Sequence, residues 1–227
     1  MTAPPPLKTP EPSKCPEYSK PQVPFLRTLF WGHWHHLLIF SALFFFHFYF
    51  SFFFEEDVHE LLRYSRTAIL LKHEYWRLWS SHFIHLNLNH LLLNAGGLLA
   101  IAMTFFYEAE PKKDLAALFL IITFTSAFLI GFCANLAWYV GFSGVLHGYL
   151  AYFLLRFWKE QPFLSLGVLC ILIAKVIWEF SPYADLSSTE QLIGGLVAVE
   201  AHASGLIAGI ITAIGFNRLH KLSISKT

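Results

Sequence analysis

Long uninterrupted apolar segments constrain this chain more than any other feature of its sequence. The first, "LLIFSALFFFHFYFSFFF" at residues 37–54, contains no Asp, Glu, Lys or Arg. A run of about 18 or more such residues can cross the hydrocarbon core of a bilayer as a helix. Composition agrees, because 56% of the 227 residues are hydrophobic and only 14% are charged. The chain is therefore predicted to be an integral membrane protein.

Five further apolar segments predict an all-α bundle of six transmembrane helices. They lie at residues 86–106, 115–134, 143–158, 162–180 and 199–217. Residues 1–30, which begin with a polar, proline-rich stretch, are expected to form a disordered tail. The membrane domain is expected to cover residues 31–219, and residues 220–227 a second short tail.

The distribution of charge indicates an orientation and excludes some partners. With six spans, most of the 16 Lys and Arg residues lie on the side of the two termini. Positive residues accumulate in cytoplasmic loops, so both termini are predicted to be cytoplasmic. The net charge of +1 argues against nucleic acid as a partner, and the three scattered cysteines suggest neither a disulfide framework nor a zinc site. No cofactor or metal is expected.

Four polar side chains from three predicted helices are expected at a similar depth in the membrane. At a rise of about 1.5 Å per residue, each lies roughly 20–27 Å above the inner boundary of a core about 30 Å thick. They are His90, Asn94, Ser143 and His202. Their arrival in one layer predicts a polar site within the bundle.

Two stripes of small residues predict which helices meet at that site. The stripes consist of Gly144 and Gly148 on the fourth span and of Ala201, Gly205 and Gly209 on the sixth. Small residues four positions apart let helix backbones approach closely in lipid. Ser143 and His202 each lie next to a stripe, so contact between the stripes would bring their side chains together.

These residue types suit acyl transfer by a serine nucleophile. A Ser hydroxyl needs an adjacent base, and His202 could take the proton of Ser143 and return it to the leaving amine. The tetrahedral intermediate needs hydrogen-bond donors, for which Asn94, His90 and the backbone N–H of Ser143 are candidates. Because helix packing could orient His202, a Ser–His dyad without an acidic residue is predicted.

Three segments carry a resemblance to a known family. "HLNLNHLLLN" at 85–94, "GFSG" at 141–144 and "AHASGLIAG" at 201–209 resemble the signatures of the rhomboid intramembrane serine proteases, on the second, fourth and sixth spans of a six-helix core. The resemblance implies catalytic roles for Ser143 and His202, oxyanion-hole roles for His90, Asn94 and the N–H of Ser143, and supporting roles for His85, Gly141, Gly144 and Gly205.

A further segment, "YWRLW" at 75–79, resembles the Trp-Arg of the first rhomboid loop, here Trp76 and Arg77. An aromatic-belt residue and a headgroup contact are the alternative interpretation of these two positions. The family also has an acidic residue near the end of the second span. Glu108 is the candidate for that position, and hence for anchoring the first loop.

Within the family, "GFSGVLHG" with His147 and "KVIWE" at 175–179 resemble the rhombosortase branch. That branch processes bacterial proteins with a C-terminal Gly-Gly, a hydrophobic helix and a basic end, which implies such transmembrane substrates and the bacterial inner membrane. Lys175 and Glu179 form an i,i+4 pair at the depth of Ser143. Either the pair fixes the rotation of its helix, or with His147 it lines the route by which substrate reaches the site.

Other functions are less well supported by the sequence. A non-catalytic rhomboid-like protein that binds transmembrane segments would normally lack Ser143 or His202. A transporter would be expected to show inverted repeats or broken helices in matching halves, and none is evident. A metal site formed by His85, His90 and His202 would lack a carboxylate or thiolate ligand.

Overall fold

The computed structural model describes residues 25–53, 57–105 and 110–224. Helices dominate, and two very short strands form a ribbon. In chain order the elements are α1 (Phe25–Phe53), α2 (Asp57–Leu62), β1 (Tyr64–Ser65), α3 (Arg66–Lys72), α4 (Arg77–Ser80), a 3₁₀ turn (Ser81–Phe83), α5 (Leu88–Thr104), α6 (Pro111–Phe132), β2 (Trp138–Tyr139), α7 (Ser143–Arg156), α8 (Pro162–Glu179), α9 (Ser187–Ile193) and α10 (Val199–Ile224).

The helices confirm the all-α membrane fold but not the exact number of spans. Within the described residues, α6, α8 and α10 are long and apolar enough to cross a membrane. The segment from α4 to α5 would be a fourth span, although it bends by 93° at its break. Helix α7 has 14 residues and a length of about 21 Å, which is less than the roughly 30 Å of a hydrocarbon core. Its first residue, Ser143, contacts His202 of α10.

Helix α1 starts before, and helix α10 ends after, the apolar segment that predicted it. Helix α1 begins at Phe25, directly after Pro24, within the segment predicted as a tail. Proline lacks a backbone N–H and is disfavoured inside a helix, which fits a helix that begins after the prolines of residues 1–24. Helix α10 continues to Ile224, beyond the predicted end of the membrane domain. Residues 1–24 and 225–227 of the predicted tails, and Glu108, lie outside the described residues.

Close contact between α7 and α10 forms the centre of the bundle, as the glycine stripes predict. A methyl group added to Gly144 would lie 2.6 Å from the backbone oxygen of Ala201. Methyl groups on Gly148, Gly205 or Gly209 would likewise collide with the backbone of the facing helix. Only 17% of the apolar stretch of α8 is buried, against 50% of that of α10, so α8 lies at the periphery.

A buried polar cluster ties three helices together at the opposite end of α7 from Ser143. Asp114 of α6 is fully buried and accepts a hydrogen bond from Arg156 of α7. His35 Nε2 of α1 lies 3.4 Å from the same carboxylate. The N–H of Glu110 donates to Asp114 over 2.7 Å, which closes the start of α6. Buried charges are tolerated only when paired in this way.

Arg77 anchors the segment between α1 and α5. Its side chain is buried, donates to the carbonyl oxygens of Glu60 (2.5 Å) and Arg63 (2.9 Å), and pairs with Glu74 through Nε at 2.6 Å. A headgroup contact is therefore the wrong interpretation for Arg77, because its guanidinium satisfies buried loop carbonyls. Its acidic partner is Glu74. Trp76 is half exposed and donates to the carbonyl of Leu61 over 3.2 Å.

Candidate active site

The turn before α7 is held in a conformation that only glycine adopts easily. Gly141 has a φ of +118°, and a methyl group there would lie 2.6 Å from the ring of His90. The N–H of Gly141 donates to the carbonyl of Ser81 over 3.0 Å, and the Tyr139 hydroxyl donates to the carbonyl of Gly141. These contacts fix the position at which Ser143 begins α7.

Three buried residues that the sequence analysis did not single out support this turn from behind. His82 Nε2 lies 2.9 Å from Ser126 Oγ of α6, and its Nδ1 lies 3.3 Å from the Tyr139 hydroxyl. Strand β2, which carries Tyr139, pairs antiparallel with β1 through Tyr64. His82 gave no sequence signal for this role, because its partners are 44 and 57 residues away in the chain.

Ser143 and His202 lie within hydrogen-bonding distance across the α7–α10 contact. Ser143 Oγ is 2.9 Å from His202 Nε2. His202 is 7% exposed, so its ring is largely shielded from solvent. A serine hydroxyl that donates to an imidazole nitrogen is the arrangement required for proton transfer during nucleophilic attack.

The other nitrogen of His202 has a carboxylate partner. Glu179 Oε2 of α8 lies 2.9 Å from His202 Nδ1, and the carboxylate is 5% exposed. The second oxygen, Oε1, lies 2.5 Å from Lys175 Nζ. The predicted dyad had no acidic residue at His202, because membrane depth alone did not tell which neighbour the face of α8 with Glu179 would meet.

His147 completes this cluster from α7. Its ring stacks on that of His202 with centroids 4.2 Å apart and planes at 17°. His147 Nδ1 lies 2.7 Å from the carbonyl oxygen of Ser143, and Nε2 lies 3.0 Å from Lys175 Nζ. Of the three residues predicted to line a substrate route, two line the cavity and one does not. Lys175 and His147 line the adjacent cavity, whereas Glu179 is directed at His202.

The predicted oxyanion-hole residues lie on the other side of the site, on α5. Asn94 is buried, lines the same cavity as Ser143, and donates from Nδ2 to the carbonyl of His90 over 2.9 Å. An amide NH₂ has two donors, so one N–H remains for a ligand. His90 also lines the cavity. His85 is buried and packs edge-on against the ring of His90, 5.1 Å between centroids, behind the cavity-lining residues.

A largely apolar cavity of about 650 Å³ runs from this site between α5 and α8. On α5 it extends from His90 to Thr104, roughly 21 Å at the rise of a helix. On α8 it extends from Lys175 to Leu164. Such a shape suits an extended or helical apolar segment with polar groups only at one end.

One cluster within the described residues has donors close enough to hold a metal ion. The ligand atoms of His147, Glu179 and His202 all lie within 4.8 Å of one another. It differs from the histidine set considered from the sequence, because it includes a carboxylate. The ammonium group of Lys175 already forms hydrogen bonds with His147 and Glu179, and it neutralises the charge of the Glu179 carboxylate.

Comparison with known proteins identifies the family of this chain. Residues 72–218, more than half of the chain, match the Rhomboid domain. The chain belongs to the rhomboid family. It is 27% identical over 149 residues to the "Rhomboid protease GlpG" of two strains of Klebsiella pneumoniae, MGH 78578 and 342. The alignment covers 63% of this chain and 49% of each relative, so the chain spans about half the length of the curated relatives it matches.

Proposed function

We propose that this chain is an intramembrane serine protease in which Ser143 is the nucleophile and His202 its base. The hydrogen bond of 2.9 Å between Ser143 Oγ and His202 Nε2 carries the proposal. It lies at one end of an apolar cavity in a bundle of apolar helices. Two comparisons support the same activity. Residues 72–218 match the Rhomboid domain, and a relative of this chain is named a rhomboid protease.

The first half of the reaction forms an acyl-enzyme. Ser143 Oγ attacks the carbonyl carbon of the scissile bond while its proton moves to His202 Nε2. The bond between that carbon and the leaving nitrogen then breaks, and Nε2–H gives its proton to the departing amine. In the second half, water attacks the ester carbon and gives a proton to Nε2. The bond between that carbon and Ser143 Oγ then breaks, Nε2–H returns its proton to Oγ, and the new carboxylic acid leaves.

The negative oxygen of the tetrahedral intermediate needs donors already in place. We assign this role to the free N–H of Asn94, to His90 and to the backbone N–H of Ser143. The first N–H groups of a helix lack intrahelical acceptors, and Ser143 is the first residue of α7. Gly141, Gly144 and Gly205 support these groups by allowing the turn and the helix contact that hold them.

We infer that the substrate is a single-span membrane protein that reaches Ser143 through the space between α5 and α8. The cavity there is lined mainly by apolar residues along its length. Only an unwound backbone exposes a carbonyl to a serine within the bundle, so the substrate helix should be weak near Ser143. Gly-Gly supplies this weakness, at about 1 kcal/mol per Gly relative to Ala.

The rhombosortase assignment is also a proposal, with a C-terminal Gly-Gly, a hydrophobic helix and a basic end as the substrate tail. The support for it is a contact between the two segments that carry the resemblance, 141–148 and 175–179. His147 Nε2 and Lys175 Nζ lie 3.0 Å apart. We place the domain, residues 31–219, in a bacterial inner membrane with both termini cytoplasmic. Lys175 is well placed to bind a substrate carbonyl or the new carboxylate, because it lines the cavity.

The test is cleavage of a single-span substrate bearing this tail, with the purified full chain in liposomes. Wild type should cut it, and Ser143→Ala and His202→Ala should each reduce cutting to background, because members of a catalytic pair act as a unit. Ser188→Ala, on the exposed face of α9, is the matched control. Appreciable cutting by Ser143→Ala would refute the nucleophile. Binding of the tail without cutting by wild type would favour the non-catalytic alternative.

A further inference from the structure

Glu179 is a buried carboxylate on a helix that is otherwise mostly exposed. Its side chain is 5% exposed, and its two oxygens contact different partners, His202 Nδ1 at 2.9 Å and Lys175 Nζ at 2.5 Å. An ionised carboxylate only accepts hydrogen bonds, so Nδ1 of His202 must carry a proton. In the neutral ring with this proton, Nε2 has a lone pair and accepts a hydrogen bond from the hydroxyl of Ser143. The contact to Glu179 thus sets the form of His202 that a base requires.

The neighbouring contacts assign the remaining protons without conflict. A Lys ammonium only donates, so His147 Nε2 accepts from Lys175 and His147 Nδ1–H donates to the carbonyl of Ser143. Both imidazoles then carry a proton on Nδ1, that of His202 directed at Glu179 and that of His147 at the carbonyl of Ser143. The hydrogen bonds form a closed ring from Ser143 Oγ through His202, Glu179, Lys175 and His147 to Ser143 O.

We propose that Glu179 is a positioning residue that turns the Ser143–His202 pair into a Ser-His-Glu triad, an inference that rests on the protease function proposed above. Glu179 holds His202 with Nδ1 protonated and stabilises the imidazolium that forms when Nε2 takes the serine proton. The carboxylate does not take that proton itself, which Nε2 returns to the leaving amine. Lys175 neutralises the carboxylate and keeps its second oxygen bonded.

Stacking by His147 does not replace this role. The parallel rings, 4.2 Å between centroids, fix the plane of the His202 imidazole. A flat contact leaves both nitrogens equivalent, however, and does not decide which of them carries the proton. A hydrogen bond in the ring plane decides it, and Glu179 makes that bond.

The experiment compares Glu179→Gln and Glu179→Ala with wild type in tail cleavage, fluorophosphonate labelling and thermal unfolding. Gln is nearly isosteric but presents an N–H to Nδ1, which favours the wrong form of His202. In a serine protease triad the corresponding amide costs about 10⁴-fold in kcat. We expect Gln to lower kcat and the labelling rate by roughly 10³–10⁴-fold, at least as much as Ala, with KM and the unfolding midpoint near wild type. Glu160→Gln, at an exposed position, is the matched control.

Each other result has a definite meaning. Gln within about tenfold of wild type, with Ala much worse, would show a packing role and overturn the proposal. Loss of tail cleavage with labelling retained would place Glu179 on the substrate route instead, and would also overturn it. If Gln unfolds, Lys175→Met with Glu179→Gln removes both charges together, and the same loss of labelling is expected. If wild type neither cuts nor is labelled, the protease function fails rather than the triad.

Discussion

Gly205→Ala should separate α7 from α10 and disable the site without unfolding the chain. A methyl group at Gly205 would lie 2.5 Å from the carbonyl carbon of Gly144. Carbon atoms pack at about 3.5–4.0 Å, so the helices must move apart by about 1 Å. The 2.9 Å between Ser143 Oγ and His202 Nε2 would then grow to roughly 4 Å, beyond hydrogen-bonding distance. A misplacement of about 1 Å can cost about 10²-fold in rate.

The free energy of unfolding should fall by no more than about 2 kcal/mol. Overpacking costs about 1–3 kcal/mol, and replacing a helical Gly by Ala returns about 1 kcal/mol. The assay is the rate of fluorophosphonate labelling beside the thermal unfolding midpoint. Gly215→Ala is the control, because nothing lies within 4 Å of a methyl group at that position of the same helix. Labelling of Gly205→Ala within a few-fold of wild type would refute the link between the glycine contact and the site.

Three further predictions concern the oxyanion hole, the substrate and the first loop. Asn94→Ala should slow tail cleavage by about 10–1000-fold, and turnover near wild type would make Asn94 a packing residue. Replacing Gly-Gly by Leu-Leu in the substrate tail should sharply reduce cutting, whereas equal cutting of both tails would remove the case for the rhombosortase branch. Arg77→Met should lower the free energy of unfolding by about 3–5 kcal/mol, since it strands Glu74 and two carbonyls, while Lys113→Met, in an exposed ion pair, should stay within about 1 kcal/mol.

Much of the fold follows from local properties of the sequence. Each of the six predicted apolar segments overlaps one helix of the described residues, because burial in lipid requires long runs without charge. These helices are α1, α5, α6, α7, α8 and α10. The four-residue spacing within the stripes that contain Gly144 and Gly205 predicted the contact between α7 and α10, because small residues at that spacing lie on one face of each helix. The ribbon of β1 and β2 was not predicted, since its two-residue strands lie about 70 residues apart and carry too little pattern.

The acidic part of the candidate site was beyond sequence reasoning. The i,i+4 spacing put Lys175 and Glu179 on one helix face, and the structure retains their ion pair. Which neighbour that face meets depends on the rotation of α8, and a mostly apolar helix in lipid has no amphipathic stripe that reveals it. The ion pair of Arg77 with Glu74 was likewise not predicted, because both residues lie in a segment of mixed charge without a regular pattern.

The most direct test of the proposed chemistry is to map the residue that a fluorophosphonate modifies. Purified wild-type chain, Ser143→Ala and His202→Ala are treated with the reagent, digested, and their peptides compared by mass. We predict one adduct, on Ser143 in wild type, that is absent from both variants while their unfolding midpoints stay near wild type. An adduct on another serine, or tail cleavage by a chain whose Ser143 is replaced, would contradict the proposal.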